Sequence, residues 1–196
     1  AERVYYSLLK KQENHGAANH NLGILKVKLN KLDDAIHLFK KSVQVNPYEE
    51  QYWISYVNTL LKIKHFKEAE KVCLKAISLI PGSGSIYNNL GIAYLHLNKL
   101  NRAEVYYKKA IELKENYFIG YYNFANLLTD IGRYNEAVKN YIIAIKIKPD
   151  FIEAISNLGN TQIDLGDLEN AEKNYDKIIK IKPDFSDALL NKGKIL

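Results

Sequence analysis

Apolar residues along the chain recur at intervals of three and four rather than two. Tyr87, Leu90, Gly91 and Tyr94 fall on one face of a helix, and the same spacing returns in segments of the same length throughout. The segments themselves repeat. Ala35, Ala69, Ala103, Ala137 and Ala171 stand 34 residues apart without insertion. In the same register come Gly23, Gly91, Gly159 and Gly193, the aromatics Phe39, Tyr107, Tyr141 and Tyr175, and the prolines Pro47, Pro81, Pro149 and Pro183. Glu115 replaces the proline of the middle unit, and Ala1, Tyr5 and Leu8 continue the columns one period upstream. A fixed period of this length predicts stacked supersecondary units.

Each unit reads as two helices. Asn98, Gly132 and Gly166 stand where the first helix ends, and these are residue types that accept a left-handed backbone. The second helix starts near Asp33 or Asn101 and runs to a proline that cannot extend it. The alanine and glycine columns let two helix backbones approach closely. The fold expected is all-α: a right-handed superhelical solenoid of antiparallel helix pairs, with twelve helices in a single array. Full repeats occupy 16–49, 50–83, 84–117, 118–151 and 152–185. Residues 1–15 form a second helix without its first, and 186–196 a partial first helix. Val57 in the glycine column and Ile178 in the second alanine column are expected to widen the packing locally.

Tyr87, Leu90-Gly91, Tyr94, Ala103, Tyr107 and Ala110 carry the pattern aromatic, Leu-Gly, Tyr, Ala, aromatic, Ala. On these residues the chain resembles the tetratricopeptide repeat family along essentially its whole length. The resemblance implies a scaffold without catalysis of its own, so the informative surface is the one left for a protein partner.

If the fourth, seventh, eighth and eleventh residues of a unit face the helix seam, the second, sixth, ninth and thirteenth point the opposite way. The sixth position holds Asn21, Ser55, Asn89, Asn123, Asn157 and Asn191, and the ninth holds Ile24, Asn58, Ile92, Asn126, Asn160 and Lys194. Asn costs roughly 0.6 kcal/mol against Ala in an exposed helix interior, so its recurrence calls for an offsetting role. An amide carries donors and an acceptor together, and can bind both the N–H and the C=O of an extended peptide. The other reading is a structural ladder in which the amides bridge neighbouring first helices. The column resembles the asparagine ladder in the repeat array of O-linked N-acetylglucosamine transferases. That resemblance implies a concave, amide-lined groove holding a substrate polypeptide by its backbone, as the recognition arm of a larger transferase. The segments Asn19 to Gly23 and Gln51 to Tyr56 are also similar to arrays of bacterial proteins with a transferase domain downstream. The alternative function is an assembly scaffold that grips a folded subunit.

The thirteenth position grades from Lys28 and Lys62 through His96 to Asp130 and Asp164, which would orient a bound segment by charge. Chaperone tails need cations at the second, fifth and sixth positions. Ala17, Gln51 and Ser85, with His20, Ile54 and Asn88, cannot assemble such a clamp.

Composition adds exclusions. The net charge is +6, but the lysines are spread over second helices with three arginines in the whole chain, which argues for a solvated face rather than nucleic acid. The single cysteine, Cys73, occupies the aromatic column and is expected to be buried. His15, His20, His37, His65 and His96 lack ligand spacing, so neither a metal nor another cofactor is expected. No apolar run is long enough for a membrane helix, and the location expected is cytoplasmic, in a piece of a longer protein. Val4, Tyr5, Leu8 and Leu9 at one end, and Ala188, Leu189 and Ile195 at the other, are expected to be exposed and to favour end-to-end self-association.

Overall fold

A computed structural model describes residues 2–195, so Ala1 and Leu196 lie outside the described residues. Twelve α-helices account for it, with no strand among the described residues: α1 (Glu2–Lys11), α2 (Gly16–Lys28), α3 (Leu32–Val45), α4 (Glu50–Lys62), α5 (Phe66–Leu79), α6 (Gly84–His96), α7 (Leu100–Leu113), α8 (Phe118–Asp130), α9 (Tyr134–Ile147), α10 (Ile152–Asp164), α11 (Leu168–Ile181) and α12 (Ser186–Ile195). The chain divides into two compact units, Ala1–Leu113 and Lys114–Leu196. Unit 1 holds α1 to α7 and unit 2 holds α8 to α12.

The first helices of the five full repeats end the same way, for a local reason. Asn30, Lys64, Asn98, Gly132 and Gly166 take φ values of 56°, 62°, 57°, 77° and 77°. The next residue's N–H then reaches back over the helix end: Lys31 to the Lys26 carbonyl at 2.9 Å, His65 to Leu60 at 2.9 Å, Lys99 to Tyr94 at 2.9 Å, Arg133 to Leu128 at 2.8 Å and Asp167 to Gln162 at 2.8 Å. This is a Schellman closure repeated five times, and it fixes the turn into each second helix. Lys64 is the strained member, since a side chain in the left-handed region costs about 1–2 kcal/mol where Gly or Asn costs less.

The seam between paired helices is built from the predicted columns. Ala35, Ala69, Ala103, Ala137 and Ala171 have no exposed surface. A methyl on Gly23 would sit 2.6 Å from the Phe39 ring, and one on Gly91 2.6 Å from the Tyr107 ring, so the glycines are there to admit the rings. The backbones of α4 and α5, around Val57, approach less closely than those of the other helix pairs, as expected. Val57 is fully buried, and so is Cys73, which replaces the ring in that unit, so bulk has moved from one column to the other. Burial pushes the Cys73 thiol well above its ordinary pKa, which leaves it unreactive. Ile178 is likewise fully buried, in a cluster with Ile155, Ala171, Tyr175 and Ala188.

At the chain's ends the expectation of exposure is corrected in part. Ala188 is fully buried in that cluster, while Tyr5, Leu8, Leu9 and Ile195 are half-buried. Val4 and Leu189 are exposed. One charge enters the seam unannounced: Lys26 is buried, with its Nζ 2.8 Å from a Glu2 carboxylate oxygen, which ties α1 to α2.

Candidate protein-binding face

In unit 2 the sixth and ninth positions of the first helices run along α8, α10 and α12 and carry Asn123, Asn126, Asn157, Asn160 and Asn191. The sixth and ninth positions are not two independent columns. Asn157 Nδ2 donates to Asn126 Oδ1 at 2.9 Å, and Asn191 Nδ2 donates to Asn160 Oδ1 at 3.2 Å. The sixth residue of one repeat is thus joined to the ninth of the repeat before it. A second donor arrives from below: Tyr141 Oη donates to Asn126 Oδ1 at 2.6 Å, and Tyr175 Oη to Asn160 Oδ1 at 2.7 Å. Both tyrosines are almost wholly buried, so each phenol is a fixed post beneath its amide. Thr129 and Thr161 continue the contact between α8 and α10, their Oγ1 atoms 3.4 Å apart.

Hydrogen-bond valence decides what remains. The ninth residue's oxygen is satisfied twice, which orients the amide and turns its nitrogen away. No buried side-chain nitrogen or oxygen among the described residues lacks a partner. Asn126 Nδ2 and Asn157 Oδ1, which make no other bond among those residues, therefore reach solvent. The rung keeps one donor group and one acceptor after the ladder has formed. In the second rung Asn160 Nδ2 is left in the same way, while Lys194 Nζ lies 3.3 Å from Asn191 Oδ1. The amides that bridge neighbouring first helices thus still carry polar atoms at the surface.

Unit 1 is less regular. Asn89 Nδ2 donates to Asn58 Oδ1 at 2.8 Å, but Cys73 stands where the phenol would be, so this rung has no post. Asn89 itself is only 6% exposed, which corrects the expectation that it stands free on the surface. Ser55 interrupts the column and is held by His20, whose Nε2 lies 2.9 Å from Ser55 Oγ. Desolvation holds the His20 pKa below the usual histidine value. Asn21 is exposed at a shallow hollow of about 290 Å³ lined with Tyr5, Ile24, Leu25 and Lys28.

The thirteenth residues Lys28, Lys62, Asp130 and Asp164 are all exposed. Asp130 and Asp164 are the last residues of α8 and α10, where the helix dipole disfavours an anion by roughly 0.3–1 kcal/mol. Neither forms an ion pair among the described residues, nor do Glu153 and Asp187 at the second position of α10 and α12. Elsewhere in unit 2, Glu136, Glu169, Glu172 and Asp176 are each matched by Arg133, Lys173 or Lys192 within 3.4 Å.

Sequence reasoning misses the posts. The repeat pattern assigns Tyr141 and Tyr175 to packing alone, yet a signal is present: Asn126 and Tyr141, like Asn160 and Tyr175, pair the ninth position with a hydroxyl fifteen residues on, whereas Ile24 is followed by Phe39.

Hairpins of short helices in a fixed register, with a ladder of side chains between successive first helices, define a repeat scaffold. Family profiles described as tetratricopeptide repeat match residues 16–49, 50–83 and 152–185, and related repeat profiles match 85–117, 106–139 and 125–166. The chain belongs to the tetratricopeptide repeat family. No curated protein matches it in sequence. Among solved structures, YrrB, described as a TPR protein with an unusual peptide-binding site, is 23% identical, with 98% of this chain and all of that chain covered, at a TM-score of 0.68. TTC0263, a thermophilic TPR protein of Thermus thermophilus, is 20% identical at 0.75, over 92% of this chain and 98% of that one. PilW, described as a widely conserved type IV pilus biogenesis factor, is 21% identical at 0.80, over 92% and 84%. At these identities the likeness is one of fold. Among the described residues no helix is long and apolar enough to cross a membrane.

Proposed function

We propose that the chain is a non-catalytic protein-binding scaffold that holds an extended polypeptide against the amide-bearing face of α8, α10 and α12. The observation that carries this reading is the residual valence of the first rung: Asn126 Nδ2 and Asn157 Oδ1 remain available after Tyr141 has fixed the amide pair. A donor and an acceptor held side by side match the alternating C=O and N–H of an extended backbone, so the face reads main chain rather than sequence. Asn123, Asn160 and Asn191 extend it in unit 2, and Asn21, Asn58 and Asn89 with Lys28 and Lys62 form a separate, weaker contribution from unit 1. The peptide-binding site described for YrrB is consistent with this kind of partner.

The test is affinity for a panel of unrelated, unstructured twelve-residue peptides. Asn126→Ala and Asn160→Ala are expected to weaken every binding member of the panel by a similar factor, on the order of five-fold per amide, the equivalent of about 1 kcal/mol. Binding that is unchanged rejects backbone reading and leaves the assembly scaffold that grips a folded subunit. We propose further a transferase domain beyond the array and end-to-end association of copies, tested by the full reading frame and by sedimentation.

A further inference from the structure

The proposed face in unit 2 carries exposed carboxylates that no cation pairs with among the described residues. Asp130 and Asp164 stand against the helix dipole, are exposed and have no ion pair among the described residues; Glu153 and Asp187, in the first turns of α10 and α12 where the dipole favours an anion, are likewise exposed and have no ion pair among those residues. Positions two, six, nine and thirteen of a helix fall within one narrow arc at 100° per residue, so the two carboxylate rows flank the amide rungs. Acidic residues on the second helices are instead matched by lysine or arginine, as Glu169 is by Lys173 at 2.6 Å and Glu136 by Arg133 at 2.7 Å. The one cation on the stripe, Lys194, is turned toward Asn191 Oδ1.

We infer that the polypeptide held on α8, α10 and α12 is a basic one: an extended segment rich in lysine or arginine, its backbone on the Asn126–Asn157 rung and its cations against Asp130, Asp164, Glu153 and Asp187. This rests on the proposed backbone-reading function and adds the sign of the partner. The protein as a whole has a net charge of +6, so long-range attraction favours an acidic peptide. A preference for a basic one therefore has to come from this face.

The experiment compares two labelled twelve-residue peptides, one of alternating Lys and Ser and one of alternating Glu and Ser, by fluorescence anisotropy with the full 196-residue chain. The Lys/Ser peptide is expected to bind at least ten-fold tighter at low salt, with the difference shrinking as salt rises. In the Asp130→Lys/Asp164→Lys variant the ranking reverses, and the helical circular dichroism and melting temperature are retained because both positions are exposed. Equal or tighter binding of the Glu/Ser peptide, or a ranking indifferent to the reversal, overturns the inference. The outcome separates from that of the function itself: if a Gly/Ser peptide binds and is lost in Asn126→Ala while charge makes no difference, backbone reading stands and the basic partner falls.

Discussion

Replacing Asn126 by alanine removes an acceptor that two donors share. Tyr141 Oη, 2.6 Å away, and Asn157 Nδ2, 2.9 Å away, both lose it. The phenol belongs to a residue only 1% exposed and keeps as neighbours Thr129 Oγ1 at 3.4 Å and the Asn157 amide, so a buried hydroxyl loses its short acceptor. Stranding such a group costs about 1–3 kcal/mol, and the lost amide pair adds about 1, while alanine returns roughly 0.6 in helix propensity. The expected loss for Asn126→Ala is about 2 kcal/mol. Tyr141→Phe keeps the ring and leaves Asn126 Oδ1 bonded to Asn157, so it is expected to cost about 1 kcal/mol. In the double variant no phenol is stranded, and the total is expected to fall short of the sum by about 1 kcal/mol. Urea unfolding followed by circular dichroism, with the slope compared between variants, supplies the cycle. Strict additivity, or an Asn126→Ala variant as stable as the wild type, would refute the claim that the phenol and the amide form one unit.

Three further outcomes follow from the same packing. Gly91→Ala is expected to lower stability by about 1–2 kcal/mol, the overpacking against Tyr107 exceeding the helix-propensity gain, whereas Gly193→Ala, with nothing within 4 Å of the added methyl, is expected to be neutral or stabilising. Thermal melts of the pair check the contrast. Lys64→Gly relieves the left-handed strain at φ 62° and is expected to raise stability by about 0.5–1 kcal/mol, read from the urea midpoint. Burial pushes Tyr56 and Tyr141 up to about 12, above the ordinary value of 10. Their contribution is fully present below pH 10 and is lost as pH rises toward 12, because the unfolded chain ionises first. Melting temperature is expected to fall across that window, less steeply in Tyr141→Phe, and a flat profile would contradict the assignment.

Much of the fold was legible because each repeat states it again. The alanine column, the left-handed turn at Asn98, Gly132 and Gly166, and the glycines facing rings each depend on contacts within one hairpin, and the 34-residue register exposes them as columns. Exchange between columns was harder to see. Val57 announced the looser α4–α5 pairing but not its complement: Cys73, sixteen residues on, is the smaller partner, and both are fully buried. The candidate site was legible as a column of amides, but the column view treated the sixth and ninth positions as separate. Their bond spans 31 residues, from one repeat to the previous one, so it appears only when the first helices are stacked. The same stacking buries Asn89, which single-helix geometry places on the open face. Lys26 was missed for a related reason: its partner Glu2 lies on α1, and no pattern within a repeat announces that pair.

The claim on which the functional reading turns is that the rungs hold the main chain of an extended peptide. Calorimetric titration of one binding peptide against copies of it N-methylated at successive residues addresses this most directly, because each methyl removes a backbone N–H and leaves the side chains in place. The account predicts that methylation at alternate residues, those whose N–H faces an unoccupied amide oxygen such as Asn157 Oδ1, weakens binding about five-fold or more, with the intervening residues tolerant. Affinity indifferent to methylation at every position would contradict it.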